Sequence, residues 1–235
     1  MKSSVLLLLL EDALLSWEAS RDELRDLDAA IGDGDLGITV TAGAQAIRVG
    51  LNNLPKEAPL VEILKTCAKQ FAAANPSTFS ALISGGLLAA SKLVDTDAEI
   101  SKAESLKILE ALFLSIQTRG KAELGDKTIL DAMNPTIEIL RNGALTDDPG
   151  LIKAMAKSAE LAIQESSTLI SKRGRAAWVG ERTIGHRDGG ATAYLRFLEA
   201  LDRALEHSKN LDFQFEVEES SVPLERTSVE HGGVI

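Results

Sequence analysis

Hydrophobic and polar positions along the chain predict a set of helices. Apolar residues recur three and four positions apart, as Leu106, Leu109, Leu112 and Phe113 do, which is the spacing of one helix face. No stretch before residue 210 alternates with the two-residue period of a strand. The pattern therefore predicts an all-α domain of eight helices in an antiparallel array, over about residues 4–27, 38–53, 60–74, 78–94, 105–118, 128–142, 149–171 and 191–207.

The pattern changes near residue 208. Phe213, Phe215 and Val217 alternate with Gln and Glu, and the remainder is polar and turn-prone. A short strand, a docked extended arm and disorder all fit this composition. We divide the chain into a helical domain at 1–208 and an acidic C-terminal tail at 209–235, extended or partly disordered.

Composition supports helices and narrows the possible partners. The chain is 45% hydrophobic but only 4% aromatic, which favours packed helices over a β-sandwich. A net charge of -10 argues against nucleic acid and an anionic membrane as partners. The apolar run Val5 to Leu10 is too short for a membrane span and is followed by Glu11 and Asp12. The single cysteine, Cys67, excludes an intramolecular disulfide and predicts a buried thiol in a cytoplasmic protein.

The segment from Leu27 to Gly37 carries the clearest candidate chemistry. It holds Asp28, Asp33 and Asp35 in a glycine-rich turn between two predicted helices. Three crowded carboxylates repel one another unless a cation gathers them, and oxygen-only ligands suit magnesium. Thr39 opens the next helix, whose first amides can receive a phosphate. The alternative is a solvated turn in which the aspartates only cap a helix.

Three further loops contain candidate ligand-binding residues. The segment from Arg119 to Thr128 lacks the Gly-Lys-Thr of a P-loop, so it is not one. As a polar loop that opens a helix at Thr128 it could still approach a ligand, and a capped interhelical turn without a ligand is an equal alternative. In the long loop at 172–190, Arg175 and Arg182 could neutralise phosphate oxygens. A structural hydrogen-bonding role suits His186 at least as well as a catalytic one. In Asn75 to Ser80, Ser77 or Thr78 can cap the fourth predicted helix, and the hydroxyls would also suit a phosphate if this loop lies beside the aspartates.

Taken together, these loops resemble the L subunit of dihydroxyacetone kinase over roughly residues 5–207. The specific pieces are Asp28-x4-Asp33-Gly-Asp35, the run from Gly120 to Thr128, and Gly180-Glu-Arg-x-Ile-Gly-His-x-Asp188. The resemblance implies a barrel of eight antiparallel helices. It also implies two magnesium ions on Asp28, Asp33 and Asp35 that bridge the phosphates of ATP or ADP, with Arg175 as a further catalytic residue. The implied nucleotide contacts are Leu36, Gly37, Ile38, Thr39, Ser77, Thr78, Gly120, Ile129, Arg175, Asp188, Gly189 and Gly190.

The chain departs from the family pattern next to these motifs. Leu36 stands where the family commonly has His, and Ile38-Thr39 replaces a Thr-Asn or Leu-Asn pair. Asn-Pro-Ser-Thr-Phe at 75–79 replaces Gly-Gly-Ala-Ser-Gly, and Asp-Gly-Gly at 188–190 replaces Asp-Pro-Gly. The departures bear on the identity of the ketose and of the phosphate donor.

The resemblance implies a phosphotransferase that moves phosphate from Mg-ATP to a small ketose, such as dihydroxyacetone or a tetrulose. A separate K-type subunit is implied as the ketose holder, since the chain is too short to contain that domain; a homodimer is also compatible. One alternative keeps ADP bound as a cofactor that a phosphoprotein of a sugar phosphotransferase system rephosphorylates. A second alternative is a non-catalytic nucleotide-binding regulatory module, which Leu36 and the altered loop at 75–79 favour. A third is a helical scaffold without a ligand.

Overall fold

The computed structural model describes residues 1–94, 100–142 and 150–220, and every regular element within these ranges is a helix. The predicted all-α class is therefore confirmed. The elements are α1 (Ser3–Glu18), α2 (Arg21–Ile31), α3 (Leu36–Asn52), α4 (Leu60–Ala74), α5 (Thr78–Ala90), α6 (Lys102–Gly120), α7 (Ile129–Asn142), α8 (Leu151–Ser166), the 3₁₀ helix η1 (Arg175–Thr183) and α9 (Gly189–Ser220).

The helices pack in chain order. α1 contacts α3, and from α3 to α9 each α-helix packs against the next. α9 then returns to pack against α1, so these eight helices form a closed series of contacts. α2 leaves the series: it packs against α3 and α9 and also contacts η1. The connection between α2 and α3 thus lies beside η1.

The first predicted helix, 4–27, is wrong in one respect, because it is two helices. α1 ends at Glu18 and α2 begins at Arg21, with a turn at Ala19 and Ser20. The apolar stripe of α1 ends at Trp17, whose indole N–H donates to the carbonyl oxygen of Ala193 in α9 at 2.9 Å. This bond fixes the end of α1 against α9, and the polar residues that follow start a helix in a new direction.

Two later segments also differ from the prediction. α8 ends at Ser166 rather than near residue 171, because the carbonyl groups of Ser167 and Leu169 accept hydrogen bonds from the Lys127 ammonium instead of continuing the helix. α9 continues to Ser220, so residues 209–220 are helical where an extended tail was expected. No Gly or Pro interrupts the sequence between Ala191 and Val222, so nothing stops the helix there. Residues 221–235 of the predicted tail lie outside the described residues.

The interior contains two main apolar clusters that meet at α9. One joins α1, α3, α4 and α9, where the Trp17 ring lies 6.2 Å from that of Phe71 and 5.3 Å from that of Phe197. The other joins α7, α8 and α9 around Met133 and Leu195. The predicted burial of Cys67 is confirmed, and burial raises the pKa of its thiol to about 12. Among the described residues, no helix is both long and apolar enough to span a membrane.

Candidate functional site

The connection between α2 and α3 brings the three predicted aspartates together. Asp28 lies in the last turn of α2, and Asp33 and Asp35 lie in the turn that follows. One carboxylate oxygen from each residue lies within 4.8 Å of the others. Within residues 1–94, 100–142 and 150–220, this is the only group of three or more His, Cys, Asp or Glu side chains placed to share a metal ion. We call it the aspartate cluster.

Glycines shape the backbone around this cluster. Gly34 has a φ of +77°, a conformation that side chains rarely adopt. A Cβ atom on Gly32 would lie 2.5 Å from Oδ1 of Asp28, so a larger residue would push the carboxylate out of place. A Cβ atom on Gly37 would lie 2.1 Å from the backbone oxygen of Arg21, which shows how closely α3 crosses α2. The turn geometry is therefore fixed by the sequence of the loop itself.

The electrostatics of the cluster favour a bound cation. Partial burial raises the pKa of Asp28, and the negative charges of Asp33 and Asp35 raise it further; the backbone N–H of Leu36, which donates to Oδ2 of Asp28 at 3.2 Å, lowers it. Arg175 reaches the cluster from η1. Its guanidinium pairs with the Asp33 carboxylate and lies 3.6 Å from Oδ2 of Asp35, and these partners raise the pKa of Arg175. The sequence motif at 172–190 thus meets the aspartate cluster in space.

The predicted ligand residues in the first turn of α3 differ in their exposure to solvent. Leu36, Gly37 and Thr39 are buried, whereas Ile38 is exposed. The Thr39 hydroxyl accepts a hydrogen bond at 2.8 Å from the side-chain amide of Asn75. Helix α3 begins at Leu36, so Thr39 lies inside its first turn rather than opening it. The Thr39 side chain thereby ties the aspartate loop to the 75–80 loop.

The 75–80 loop forms a helix cap. The Ser77 side chain accepts from the Ser80 backbone N–H at 3.1 Å, and the Ser80 hydroxyl accepts from the Ser77 N–H at 2.9 Å. This reciprocal arrangement confirms that Ser77 caps α5, which corresponds to the fourth predicted helix. Thr78 is the first residue of α5 and is exposed.

The 120–131 loop is held by a residue that the sequence analysis missed. The Asp131 carboxylate accepts from the backbone N–H groups of Gly125, at 2.6 Å, and Thr128, at 2.8 Å. The signal was present in Thr128-Ile-Leu-Asp131, a capping pattern at a helix start. Gly120 is the last residue of α6. Ile129 is the first residue of α7 and is buried in the apolar cluster that α7, α8 and α9 form.

Lys127 is a second residue that the sequence analysis missed. Only 1% of it is exposed, and its ammonium donates to the backbone carbonyls of Ser167, at 3.1 Å, Leu169, at 3.0 Å, and Thr183. Burial lowers the pKa of its ammonium group. Lys127 therefore joins the start of α7 to the end of α8 and to η1, so that the 120–131 loop and the Arg175 segment are held together.

The turn before α9 completes the site. The Asp188 carboxylate accepts from the Ala191 backbone N–H at 2.7 Å and so caps α9. Burial raises the pKa of Asp188 to about 6; the charges of Asp131 and Asp28 also raise it, and that of Lys127 lowers it. A Cβ atom on Gly189 would lie 2.8 Å from Cδ2 of Leu36, so this turn packs directly against the aspartate loop.

The remaining candidates of this region lie elsewhere. Arg182 and His186 are exposed, and among the described residues no hydrogen bond or ion pair joins either side chain to the aspartate cluster. Arg187 instead forms an ion pair with Glu160 of α8 at 2.6 Å. The structure therefore assembles the cluster, Arg175, Leu36 and the Asp188 turn at one place, with the two other loops tied to it through Asn75 and Lys127.

Comparison with known proteins gives one family. Residues 30–203 match the DAK2 domain. The chain is 34% identical over 175 residues to the PEP-dependent dihydroxyacetone kinase 1, ADP-binding subunit DhaL, of Listeria innocua, covering 74% of this chain and 82% of that protein. It is also 34% identical over 179 residues to the D-erythrulose kinase of Mycolicibacterium smegmatis, covering 74% of this chain but 30% of that enzyme.

A solved structure shares the fold. The dihydroxyacetone kinase of C. freundii in its native form superimposes with a TM-score of 0.67 at 23% identity, over 85% of this chain and 34% of that one. The same kinase in complex with AMP-PNP and Mg²⁺ gives a TM-score of 0.64 at 22% identity, over 83% of this chain and 33% of that one. The helical arrangement described above is thus that of a segment of a larger kinase.

Proposed function

The chain belongs to the DAK2 domain family, and from that premise we propose that it is the nucleotide-binding subunit of a dihydroxyacetone kinase-like phosphotransferase. It transfers a phosphoryl group from Mg-ATP to a hydroxyl of a small ketose that a separate K-type subunit holds. The observation that carries the proposal is the aspartate cluster, with one oxygen from each of three carboxylates within 4.8 Å of the others. The names of the relatives, an ADP-binding subunit and a D-erythrulose kinase, support the nucleotide and the class of acceptor.

The donor set fits magnesium. Asp28, Asp33 and Asp35 would hold it, because carboxylate oxygens are the ligands that this hard cation prefers. We propose two ions, since three carboxylates offer more oxygens than one octahedral ion that keeps water and phosphate ligands would use. When bound, the ions neutralise the phosphate charge and stabilise the charge that develops during transfer.

The chain's own residues would orient the nucleotide. Leu36, Gly37 and Ile38 occupy the first three positions of α3, whose N–H groups have no partner within the helix. The Leu36 N–H is used by Asp28, which leaves those of Gly37 and Ile38 to receive a phosphate oxygen. Arg175 lies beside Asp33 and Asp35, so its guanidinium can contact a phosphate held at the cluster.

The other proposed contacts surround this point. Ser77 and Thr78 stand at the N-terminus of α5, and Gly120 and Ile129 flank the loop that Asp131 and Lys127 hold. Asp188, Gly189 and Gly190 pack against Leu36. We assign the adenine and ribose to the Gly120 and Ile129 side, and the phosphates to the aspartate cluster.

We also propose that the eight helices α1 and α3 to α9 form an antiparallel barrel. The support is their closed series of contacts, in which α9 packs against α1. α2 and η1 then stand at the end of the barrel that carries the aspartate cluster. Cys67, a free and buried thiol, supports a cytoplasmic location, and a homodimer stays a prediction of the sequence.

A second candidate differs in the phosphate donor. The relative from Listeria innocua is named a PEP-dependent kinase and an ADP-binding subunit. In this version the nucleotide stays bound as ADP, and a phosphoprotein of a sugar phosphotransferase system rephosphorylates it. Purification followed by extensive dialysis separates the two: retained ADP supports this second version, whereas freely exchanging nucleotide supports ATP as the substrate.

The experiment that tests the function is reconstitution. The isolated chain is expected to bind Mg-ATP but to form no ketose phosphate, and the addition of the ketose-binding subunit from the same organism is expected to give product. Arg175→Lys should lower turnover, since a lysine cannot fork onto phosphate oxygens, whereas the exposed Arg182→Lys serves as a matched control. Robust turnover by the isolated chain would refute the need for a partner, and nucleotide binding without product in the full mixture would instead indicate a regulatory module.

A further inference from the structure

An exposed tryptophan lies in η1, the element that carries Arg175 to the aspartate cluster. Trp178 of η1 is 85% exposed, more than any other large apolar side chain in the part of the chain that the structure describes. The chain's other tryptophan, Trp17, is 7% exposed, and its indole N–H is bonded to Ala193. None of the hydrogen bonds found among the described residues uses the indole N–H of Trp178. The fold therefore does not require this ring for its own packing.

The position of Trp178 relates it to the phosphate site. Trp178 follows Arg175 by three residues, and in a 3₁₀ helix the side chains at i and i+3 lie one above the other. Arg175 pairs with Asp33, so the Trp178 ring stands on the face of η1 that looks toward the aspartate cluster. Ile38, in the first turn of α3 and three residues after Asp35, is 49% exposed.

Each of these two exposed apolar side chains follows a residue of the site by three positions, Trp178 after Arg175 and Ile38 after Asp35. Phosphoryl transfer needs the ketose hydroxyl in line with the transferred phosphate, so the molecule that holds the ketose must cover the open side of the cluster. In the D-erythrulose kinase of Mycolicibacterium smegmatis the segment like this chain is 30% of the enzyme, so most of that enzyme lies outside it. Under the proposed function the acceptor is held by a separate subunit, which must then cover the same side of the cluster.

We propose that Trp178 is the anchor by which this chain docks onto the ketose-holding subunit, with Ile38 on the opposite rim of the same contact; the inference rests on the proposed function. A tryptophan buried at the centre of an interface commonly dominates its affinity. Here its position beside Arg175 makes docking place the partner's ketose over the bound phosphates.

Affinity for the partner gives the direct test. The full chain, saturated with Mg-ADP, is titrated with the purified ketose-binding subunit from the same organism. Trp178→Ala is expected to weaken the complex about 30-fold, and Trp178→Tyr to recover most of that loss. Leu8→Ala removes a side chain that is 72% exposed on α1, which packs against α3 and α9, and should leave the affinity unchanged. In turnover assays Trp178→Ala should raise the KM for the subunit and leave kcat at saturating subunit near the wild-type value.

Three results would overturn this inference. The first is equal affinity of wild type and Trp178→Ala for the subunit. The second is a comparable loss of Mg-ADP binding in Trp178→Ala, which would make the ring a cover for the nucleotide. The third is self-association of the chain that Trp178→Ala abolishes in sedimentation velocity, which would assign the surface to a second copy. Failure of the proposed function is distinct: the wild-type chain would then bind no Mg-nucleotide or give no product with the subunit, and the docking role would fall with it.

Discussion

Substitution of Gly37 by alanine tests how tightly the aspartate loop is built. The new Cβ atom would lie 2.1 Å from the backbone oxygen of Arg21 and 3.0 Å from the backbone nitrogen of Arg25. Neither atom can rotate away, because both belong to the main chain of α2. Since Cβ atoms essentially never lie within 3.0 Å of such an atom, the contact must lengthen from 2.1 Å by about 1 Å, and the two helices must separate. Forced separation of packed elements typically costs about 1–3 kcal/mol, and the upper end applies because only backbone can move. In a chain of this size the melting temperature should fall by roughly 6–12 °C.

The assay is thermal and urea unfolding of the nucleotide-free protein. Gly120→Ala is the matched control, since its Cβ would meet only the methyl groups of Leu82, the nearer at 3.7 Å, and should change stability by no more than about 1 kcal/mol in either direction. Gly37→Ala should also weaken Mg-ADP binding, because the Leu36 N–H that holds Asp28 moves with α3. A Gly37→Ala melting temperature equal to that of the wild type would refute the close crossing of α2 and α3.

Other changes have equally definite outcomes. Lys127→Met removes the ammonium donor that the carbonyls of Ser167, Leu169 and Thr183 share, although the Gly185 and His186 N–H groups still reach the first and the last. The loss should cost about 2–3 kcal/mol, with faster amide exchange over 167–185, whereas the exposed Lys121→Met should shift the urea midpoint little. Equal midpoints for the two variants would contradict the role of Lys127. The pKa of Asp188 in the folded chain, about 6, exceeds its ordinary 3.8, so the stability of the nucleotide-free wild type should fall by up to about 3 kcal/mol as pH rises from 4 to 7. Asp188→Asn should lack this fall in stability. Thermal unfolding with the same dependence on pH in both proteins would disprove the contribution of Asp188. Ser77→Ala should lose about 1 kcal/mol of stability that Ser77→Asn largely keeps; no loss in urea unfolding would show that the cap contributes nothing.

The features that could be predicted from the sequence are those encoded locally. The aspartate cluster is one, since Asp28, Asp33 and Asp35 lie within eight residues and the intervening glycines permit only a tight turn. The apolar stripe around Cys67 predicted the burial of its thiol. A hydroxyl residue before an apolar run predicted the cap at Ser77. In each case neighbouring residues alone determine the outcome.

Contacts between distant segments account for what the sequence could not predict. The break after α1 depends on a hydrogen bond from Trp17 to Ala193, which lies 176 positions away. In the sequence Lys127 looks like an ordinary loop lysine, because the carbonyls that it binds come from two distant segments. Leu36 occupies a position where the family commonly has His, and only the packing of Gly189 against it shows that its side chain is buried.

The most direct test of the central claim is calorimetry of ADP binding to the wild-type chain and to Asp33→Asn, each with magnesium and with a chelator. The wild type is expected to bind ADP tightly only when magnesium is present. Asp33→Asn should weaken that binding by at least tenfold, because loss even of outer partners of metal ligands costs about 10–100-fold. Asp26→Asn, an exposed aspartate of α2 paired with Arg25, should bind as the wild type does. Binding of ADP that is unchanged in Asp33→Asn, or that persists undiminished without magnesium, would contradict a nucleotide site built on the aspartate cluster.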